Sequence, residues 1–215
     1  MAAPTTRTLS VWSTADRACR LSVEVARLGG GAYGRVTLHR VQDRLRVPFE
    51  QIAYKTFRES ASDAIREGEI SILDFLSSTP HPNVGSAIAV IIADDRWQGF
   101  VMPVYDMTLE TLFQAQQGIF PELRVGRMAV QMLAGLAFLH DHRIMHRDIK
   151  ADNVLLEITT ESPMRCVLSD FGWSRHTHLL RYKFNIITML LMLLRRPITR
   201  PTRPNCTRTN QPNRS

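Results

Sequence analysis

Two alternating segments separated by a cluster of glycines constrain the fold of this chain more than any other feature. "LSVEVARL" (21–28) and "RVTLHRV" (35–41) alternate apolar with polar residues, which is the period of a β-strand, and "GGGAYG" lies between them. A dinucleotide-binding turn would require a helix directly after the glycines, whereas here a second strand follows. The pattern therefore predicts a β-hairpin, and the apolar run "QIAYKTF" (51–57) predicts a third strand.

The remainder of the chain adds helices to these strands. Apolar residues recur at helical spacing over 62–76, and a broad apolar face, from Val125 to Leu139, predicts a long helix over 122–140. Short apolar runs predict further strands at 86–93, 99–105, 154–158 and 165–169. Strands come first and helices later, so the sequence predicts an α+β fold.

Net charge is divided unevenly along the chain. The formal charge is +7, with 44% hydrophobic and 22% charged residues, a balance typical of globular proteins. Residues 1–172 carry 18 basic and all 20 acidic residues, a net of −2, whereas residues 173–215 carry nine basic residues and no acid. The basicity belongs to the C-terminal segment, so the body gives no electrostatic reason to bind nucleic acid.

Cysteine usage and hydropathy bear on location. Cys19, Cys166 and Cys206 are odd in number and widely spaced, which favours reduced thiols in a cytoplasmic or nuclear protein. The N-terminus lacks the apolar core of a secretory signal. The longest apolar run, 184–194, is 11 residues and too short for a membrane span. Membrane association through 184–196 is a less favoured alternative.

Lysine is rare, and two of the three lysines lie in polar motifs. Lys55, Lys150 and Lys183 stand against 24 arginines. Lysine is a compact charge that fits between phosphate oxygens, where the wider guanidinium of arginine does not. Lys55 follows the glycines Gly29, Gly31 and Gly34, whose G-x-G-x-x-G spacing lets backbone N–H groups approach phosphate. By itself this glycine pattern is weak, and a surface lysine on a strand is the plainer interpretation.

Five motifs in order resolve that ambiguity. They are the glycine loop, "IAYK", "REGEISIL" with "HPNV", "FLHDHRIMHRDIKADN" and "SDFGWS". With them the chain resembles a eukaryotic-type protein kinase, most similar to the Ser/Thr kinases, from Leu21 to Arg175. The resemblance implies a bilobal fold, with an antiparallel-sheet N-lobe and a helical C-lobe. It also implies transfer of the ATP γ-phosphate to a hydroxyl of a protein substrate, with Mg²⁺ as cofactor.

The resemblance assigns a nucleotide site. Lys55 would hold the α- and β-phosphates and would be oriented by Glu69, chosen over Glu67 because a leucine follows four residues later. Met102 would lie at the back of the adenine pocket, with the Pro103 carbonyl and the Tyr105 N–H contacting the base. The loop and walls of the pocket would be formed by Leu28, Gly29, Gly31, Gly34, Val36, Ala53 and Leu155.

The resemblance likewise assigns the catalytic groups. Asp148 would accept the proton of the substrate hydroxyl, and Lys150 would neutralise charge developing on the γ-phosphate. Lysine at that position, three residues before Asn153, resembles Ser/Thr rather than Tyr kinases. Asn153 and Asp170 would hold the Mg²⁺ ions. The remaining histidines include no metal-binding pattern, and His146 is interpreted as a core residue packed beside Phe171.

The resemblance ends soon after Gly172. The "APE"-like anchor and the helical segment that the family carries beyond it are not recognisable, and no acidic residue follows. The sequence therefore predicts an extension over 1–20, a partial kinase domain over 21–175, and a basic tail over 176–215 that is disordered from about 195. A shifted reading frame or truncated gene model is one explanation. The alternative function is a catalytically inactive nucleotide-binding or regulatory module.

Overall fold

The computed structural model describes residues 10–13, 22–31, 34–42, 49–117, 122–158 and 164–177. Its strands and helices, in chain order, are β1 Ser10–Ser13, β2 Ser22–Gly30, β3 Gly34–Val41, β4 Gln51–Phe57, α1 Asp63–Ser78, β5 Ala89–Ala93, β6 Arg96–Met102, β7 Met107–Thr108, α2 Leu109–Ala115, α3 Glu122–Asp141, β8 Ile144–Met145, β9 Val154–Glu157, β10 Arg165–Leu168 and β11 Arg175–His176. The predictions for 178–215 lie outside the described residues. None of the described helices combines the length and hydropathy that crossing a membrane requires.

The N-terminal part is a six-stranded sheet in the order β1-β5-β6-β4-β3-β2. The predicted hairpin is confirmed: β2 pairs antiparallel with β3, and the Gly31 N–H donates to the Gly34 carbonyl at 3.0 Å across the turn. Strand β4 pairs antiparallel with both β3 and β6. Strand β1, which the sequence did not predict, pairs parallel with β5.

The strands predicted at 86–93 and 99–105 exist, but their bounds are wrong. β5 ends at Ala93 and β6 begins at Arg96, so only Asp94 and Asp95 connect them. Both connecting residues have positive φ, 48° and 56°, as a two-residue type I′ turn requires. β6 ends at Met102 because Pro103 has no N–H to continue the ladder.

Helix α3 contributes most of the core in the part of the fold that follows the six-stranded sheet. Its bounds agree with the predicted helix, and the apolar stripe on it is confirmed as core. The fully buried side chains of the stripe are Met128, Met132, Leu136 and Leu139. They belong to one apolar cluster with α1 residues and with β9 and β10, including Leu156 and Leu168. The sequence missed the short helix α2, whose N-cap Thr108 accepts from the Thr111 N–H at 3.0 Å.

A loop before β5 is fastened to this core by Asn83. Its amide nitrogen donates to the Cys166 carbonyl at 2.8 Å and to Gln131 Oε1 at 3.1 Å. The same Gln131 oxygen accepts from the Cys166 N–H at 2.9 Å. On α3, a Cβ added to Gly135 would lie 2.7 Å from the Asn83 carbonyl oxygen, so glycine allows the helix to approach this loop closely. The two parts of the fold are therefore joined by buried polar contacts as well as by apolar packing.

Two glycines provide a matched test of this packing. A Cβ on Gly99 of β6 would overlap the Lys55 carbonyl oxygen of β4, whereas a Cβ on Gly126 of α3 would meet nothing within 4 Å. Gly99→Ala is expected to lower the free energy of unfolding by about 1–3 kcal/mol or more. Gly126→Ala is expected to raise it by up to about 1 kcal/mol, because alanine is the better helix former. Urea unfolding measures both, and equal shifts would contradict the strand packing.

Candidate active site

Lys55 is the point at which three distant segments of the chain meet. It lies on β4, paired with Phe100 of β6, and is 7% exposed. Its Nζ is 2.7 Å from Glu69 Oε1 on α1 and 2.7 Å from Asp170 Oδ1, two residues beyond β10. Because a buried cation is stable only when it is paired and hydrogen-bonded, these two contacts fix the relative positions of β4, α1 and the segment after β10.

Helix α1 presents Glu69 rather than Glu67 to this cation. Glu69 is fully buried, while Glu67 lies on the exposed side of the same helix. Glu69 Oε2 has no hydrogen-bond partner among the described residues. A Cβ on Gly172 would lie 3.4 Å from both this oxygen and Asp170 Oδ1, which is an ordinary contact distance, so Gly172 lies directly beside the two carboxylates.

Burial and charge act in opposite directions on the three ionisable groups. Burial alone would lower the pKa of Lys55, but the carboxylates of Glu69 and Asp170 outweigh it and raise that pKa. Burial raises the pKa of Glu69 against the opposing effect of Lys55. The pKa of Asp170 is lowered, because the Lys55 ammonium outweighs burial for a side chain that is partly exposed. The ammonium and the Asp170 carboxylate are therefore both charged at neutral pH.

A second polar cluster lies on the segment between β8 and β9. Asp148 Oδ2 accepts from Lys150 Nζ at 2.7 Å and from Asn153 Nδ2 at 2.8 Å, and the same amide also donates to the Asp148 carbonyl. A 3-10 turn at Ala151–Asn153 places the asparagine, and its carbonyl accepts from Ser169 N–H at 2.9 Å. The Asp148 carboxylate is thus held in one orientation by a cation and an amide.

His146 packs in the core beneath this cluster, which confirms the sequence interpretation. It is fully buried, with its ring centroid 5.2 Å from that of Phe171. Nε2 lies 2.9 Å from the Ser169 carbonyl, and Nδ1 accepts from the Asp148 N–H at 3.4 Å. The neutral ring with hydrogen on Nε2 satisfies both contacts. Burial, the largest influence, lowers the pKa of His146 despite the nearby Asp148 and Asp170.

The segment after Asp170 returns against the same loop. Asp170 has a positive φ of 63°, and strand β11 pairs antiparallel with β8. Ser174 is fully buried, and its hydroxyl donates to the His146 carbonyl at 3.0 Å. The start of this segment is therefore held in place by backbone pairing and by a buried hydroxyl.

The glycines of the hairpin divide into two kinds. A Cβ on Gly29 or Gly31 would meet nothing within 4 Å, so their backbone faces open space. A Cβ on Gly34 would lie 2.8 Å from the Thr56 carbonyl oxygen and 3.3 Å from Lys55 Cε. Gly34 is therefore required by the close approach of β3 to β4, a packing role that the motif alone did not reveal. Leu28, just before the glycines, is 51% exposed.

The residues predicted to surround an adenine ring lie on both parts of the fold. Ala53 is buried on β4 and pairs with Met102, the last residue of β6. Val36 is half-buried on β3, and Leu155 is half-buried on β9. Pro103 and Tyr105 are half-buried in the connection that follows β6, and burial raises the pKa of the Tyr105 hydroxyl. Val36, Ala53 and Met102 thus lie on the adjacent strands β3, β4 and β6 of the six-stranded sheet, and Leu155 lies on β9.

Sequence reasoning missed three contributors to the site. Phe100 places its ring centroid 5.5 Å from Lys55 Nζ, and Phe57 packs edge-on against Phe100. Arg66 lies over the Phe57 ring. Their signal was weak, since apolar residues in strands are ordinary core residues, and an arginine on a helix is usually exposed. The direct bond between Lys55 and Asp170 was also not predicted.

Comparison with known proteins agrees with this geometry. The family model described as "Protein kinase domain" matches residues 22–189. The chain belongs to the protein kinase family. It is 31% identical over 161 residues to "Cell division control protein 2 homolog 3" of Trypanosoma brucei brucei. It is 30% identical over 156 residues to "Probable serine/threonine-protein kinase mkcC" of Dictyostelium discoideum, and 31% identical over 150 residues to "Carbon catabolite-derepressing protein kinase" of Candida tropicalis.

The kinase relatives are longer than the part that is matched. The alignments cover 74%, 71% and 68% of this chain, but 48%, 16% and 22% of the respective relatives. The chain thus spans less than half the length of these curated relatives. The α+β kinase fold is established by the family match and by the N-terminal sheet, which is antiparallel except for the parallel β1–β5 pair.

The buried His146 is expected to make the stability of the folded chain depend on pH. Its folded pKa is lowered, so below its ordinary value of 6.5 the unfolded chain binds a proton that the native ring does not. The stability it contributes is present above pH 6.5 and is lost as the pH falls. Between pH 7.5 and 5.5, the free energy of unfolding is expected to fall more in the wild type than in His146→Phe, by up to about 1.4 kcal/mol. Urea unfolding at both pH values checks this, and parallel losses would contradict a neutral buried ring.

Proposed function

We propose that this kinase-family chain binds Mg·ATP and transfers its γ-phosphoryl group to a serine or threonine hydroxyl of a protein substrate. The observation that carries the proposal is the bonding of Lys55 Nζ to both Glu69 and Asp170 at 2.7 Å. The lysine is held at the centre of an acidic site by two carboxylates from opposite parts of the fold. Phosphate oxygens are the ligands that such a buried, oriented ammonium suits.

Asn153 and Asp170 are suitable ligands for a magnesium ion whose remaining coordination positions are taken by phosphate oxygens. Mg²⁺ takes oxygen ligands and is usually bound through one or two carboxylates plus substrate phosphates. Asn153 uses its amide nitrogen on Asp148, which leaves its amide oxygen for a cation, and the side chain of Asp170 is 42% exposed. Within the described ranges, no group of three His, Cys, Asp or Glu side chains is arranged to hold a metal. Two protein ligands therefore suit an ion shared with a nucleotide.

The nucleotide would lie at the junction of the sheet and β9. In this proposal Val36 and Ala53 of the sheet and Leu155 of β9 would provide the apolar faces for the adenine ring, and Met102 would lie behind it. The backbone after Met102 would supply the Pro103 carbonyl and the Tyr105 N–H. Leu28 would border the loop, and the open backbone of Gly29 and Gly31 would approach the phosphates.

The side chains near Asp148 perform the proton and charge steps in this proposal. When bound, Mg·ATP supplies the γ-phosphoryl group, whose transfer to a hydroxyl releases ADP. Asp148 orients the substrate hydroxyl and accepts its proton, and its carboxylate is already aimed by Lys150 and Asn153. Lys150, whose side chain is 44% exposed, would exchange its bond to Asp148 for the oxygens that gain charge, while Asn153 continues to orient Asp148.

Specificity for serine and threonine rests on Lys150 and on the relatives. The lysine three residues before Asn153 resembles the Ser/Thr class, and one relative carries "serine/threonine-protein kinase" in its name. A protein substrate is proposed on the same grounds, and nucleic acid is not proposed as a partner because residues 1–172 carry a net charge of −2. A cytoplasmic or nuclear location remains a prediction from the cysteine pattern.

One observation favours the alternative of a nucleotide-binding or regulatory module without transfer activity. Helix α3 exposes Leu123 and Val130, at 69% and 67%, on the side opposite its buried stripe. A helix that is apolar on two sides normally packs against other elements on both. In the described part of the chain no element covers Leu123 or Val130 on this outer side.

Mg·ATP binding is tested first by thermal unfolding of the full chain. At a ligand concentration about 100 times Kd, the melting temperature is expected to rise by about 5–10 °C. Asp170→Ala should abolish the rise, because it removes a magnesium ligand and one partner of Lys55. A nucleotide-induced shift of equal size in Asp170→Ala would show that Mg·ATP is not bound at this site.

Asp148→Asn separates binding from transfer. The amide keeps the size of the side chain but cannot accept the substrate proton, so the variant should retain the Mg·ATP shift and lose about 10²–10⁴-fold in phosphoryl transfer. Radiolabel transfer from ATP to a mixed Ser/Thr peptide library measures this. Binding without transfer in the wild type would establish the alternative function, and transfer undiminished in Asp148→Asn would exclude Asp148 as the base.

A further inference from the structure

Arg66 is a buried arginine whose guanidinium bonds to backbone rather than to an acid. It lies near the start of α1 and is 4% exposed. Nε donates to the Ala61 carbonyl at 3.0 Å, and the two terminal nitrogens donate to the Trp97 carbonyl at 2.6 Å and the Arg58 carbonyl at 2.8 Å. One side chain thus ties α1 to the loop before it and to the beginning of β6.

This placement is electrostatically costly unless the carbonyls compensate it. A cation near a helix N-terminus opposes the helix dipole, and a buried guanidinium needs its N–H groups satisfied. The N-cap residue Ser62 makes no side-chain capping bond. The first turn of α1 is therefore held by Arg66 through three carbonyl contacts rather than by a conventional cap.

The guanidinium is also connected to the lysine site through two aromatic rings. Arg66 Cζ lies 5.6 Å from the centroid of Phe57, which meets Phe100 edge-on at 6.1 Å. Phe100 in turn lies 5.5 Å from Lys55 Nζ. Phe57 and Phe100 are both buried. The two cations thus lie at either end of one packed aromatic pair, which fixes the distance between the start of α1 and Lys55.

Glu69 follows Arg66 by three residues, so the two lie on neighbouring positions of one helical face, separated by about 4.5 Å along the axis. A helix moves as a rigid unit over such a distance. Any shift or rotation of the first turn would therefore move the Glu69 carboxylate away from Lys55.

We propose that Arg66 is a positioning residue that anchors the first turn of α1 and thereby keeps Glu69 bonded to Lys55. The catalytic relevance of this anchor rests on the proposed function, in which the Lys55–Glu69 pair holds phosphate. Lysine cannot replace arginine here, because its single nitrogen cannot reach three carbonyls that lie on three sides of a planar guanidinium.

The rarity of lysine makes a direct test possible without nucleotide. Amine acylation followed by peptide mass spectrometry reports Lys55, whose side chain is 9% exposed, against Lys150, which is 44% exposed. In the wild type Lys55 should react far more slowly than Lys150. In Arg66→Lys, with native circular dichroism, the Lys55 rate relative to Lys150 should rise about tenfold or more, because loss of the buried hydrogen bonds frees the pair.

The matched control removes an exposed link between the same two elements. Arg96 on β6 bonds Asp63 on α1 at 2.9 Å, and both side chains are more than half exposed. Asp63→Asn should leave the Lys55 rate within about twofold of the wild type, because exposed ion pairs contribute little. A rise in Asp63→Asn equal to that in Arg66→Lys would overturn the specific role of Arg66.

A double variant tests whether Arg66 acts through Glu69. Glu69→Gln should raise the Lys55 rate by itself. Adding Arg66→Lys should change it by no more than about twofold further, because the contact that Arg66 protects is already gone. Independent, multiplicative effects would show a merely structural role and overturn the proposal, as would an unchanged Lys55 rate in folded Arg66→Lys.

If Arg66→Lys does not fold, hydrogen exchange in the wild type gives the answer. We expect hydrogen exchange at the α1 amides and acylation of the Lys55 amine to occur through the same local opening. That opening should have a lower free energy than the one that exposes the amides of α3. Reaction of Lys55 while α1 stays protected would overturn the proposal. These measurements use no nucleotide, so failure to bind Mg·ATP would remove the proposed function without deciding the role of Arg66.

Discussion

The double ion pair of Lys55 is the interaction on which the rest of the site depends. A strand, a helix and the segment after β10 each contribute one charged group, and the three meet within 2.7 Å contacts. A buried ammonium without these carboxylates would carry a desolvation cost of several kcal/mol. The charges therefore act as a constraint: the native arrangement is the one in which β4, α1 and Asp170 are all in place together.

The charged groups of β4, α1 and the segment after β10 can come together because neighbouring backbone segments approach one another closely. Gly99 brings β6 against β4 directly behind Lys55, and Gly34 brings β3 against the same strand. On the other side, Gly135 lets α3 approach the loop that contains Asn83, which bonds to β10 just before Asp170. At each place a methyl group would separate layers that carry a charged member of the site. Packing and electrostatics are thus coupled through a few glycines.

The loop that contains Asp148 is organised differently, by neutral hydrogen bonds around His146 together with the bonds of Lys150 and Asn153 to the Asp148 carboxylate. The ring spans the Ser169 carbonyl and the Asp148 N–H, while Ser174 and Asn153 bond to backbone carbonyls of the same loop. The apolar cluster beneath the loop excludes water from it, and the polar bonds fix the orientation of its side chains. Kinase-family membership explains why these parts occur together, and the contacts explain how they are held.

The main strands and the two long helices could be predicted from the sequence, as could the charged residues of the candidate site, but short elements such as β1 and α2 could not. The hairpin around the glycines and the helices α1 and α3 follow from local periodicity, whereas the choice of Glu69 over Glu67 follows from the resemblance to protein kinases. Tertiary structure decided the rest: β1 beside β5, the double pairing of Lys55, the packing role of Gly34, and the burial of Arg66. Each of these depends on contacts between residues far apart in the chain, for which a single sequence has no periodic signal.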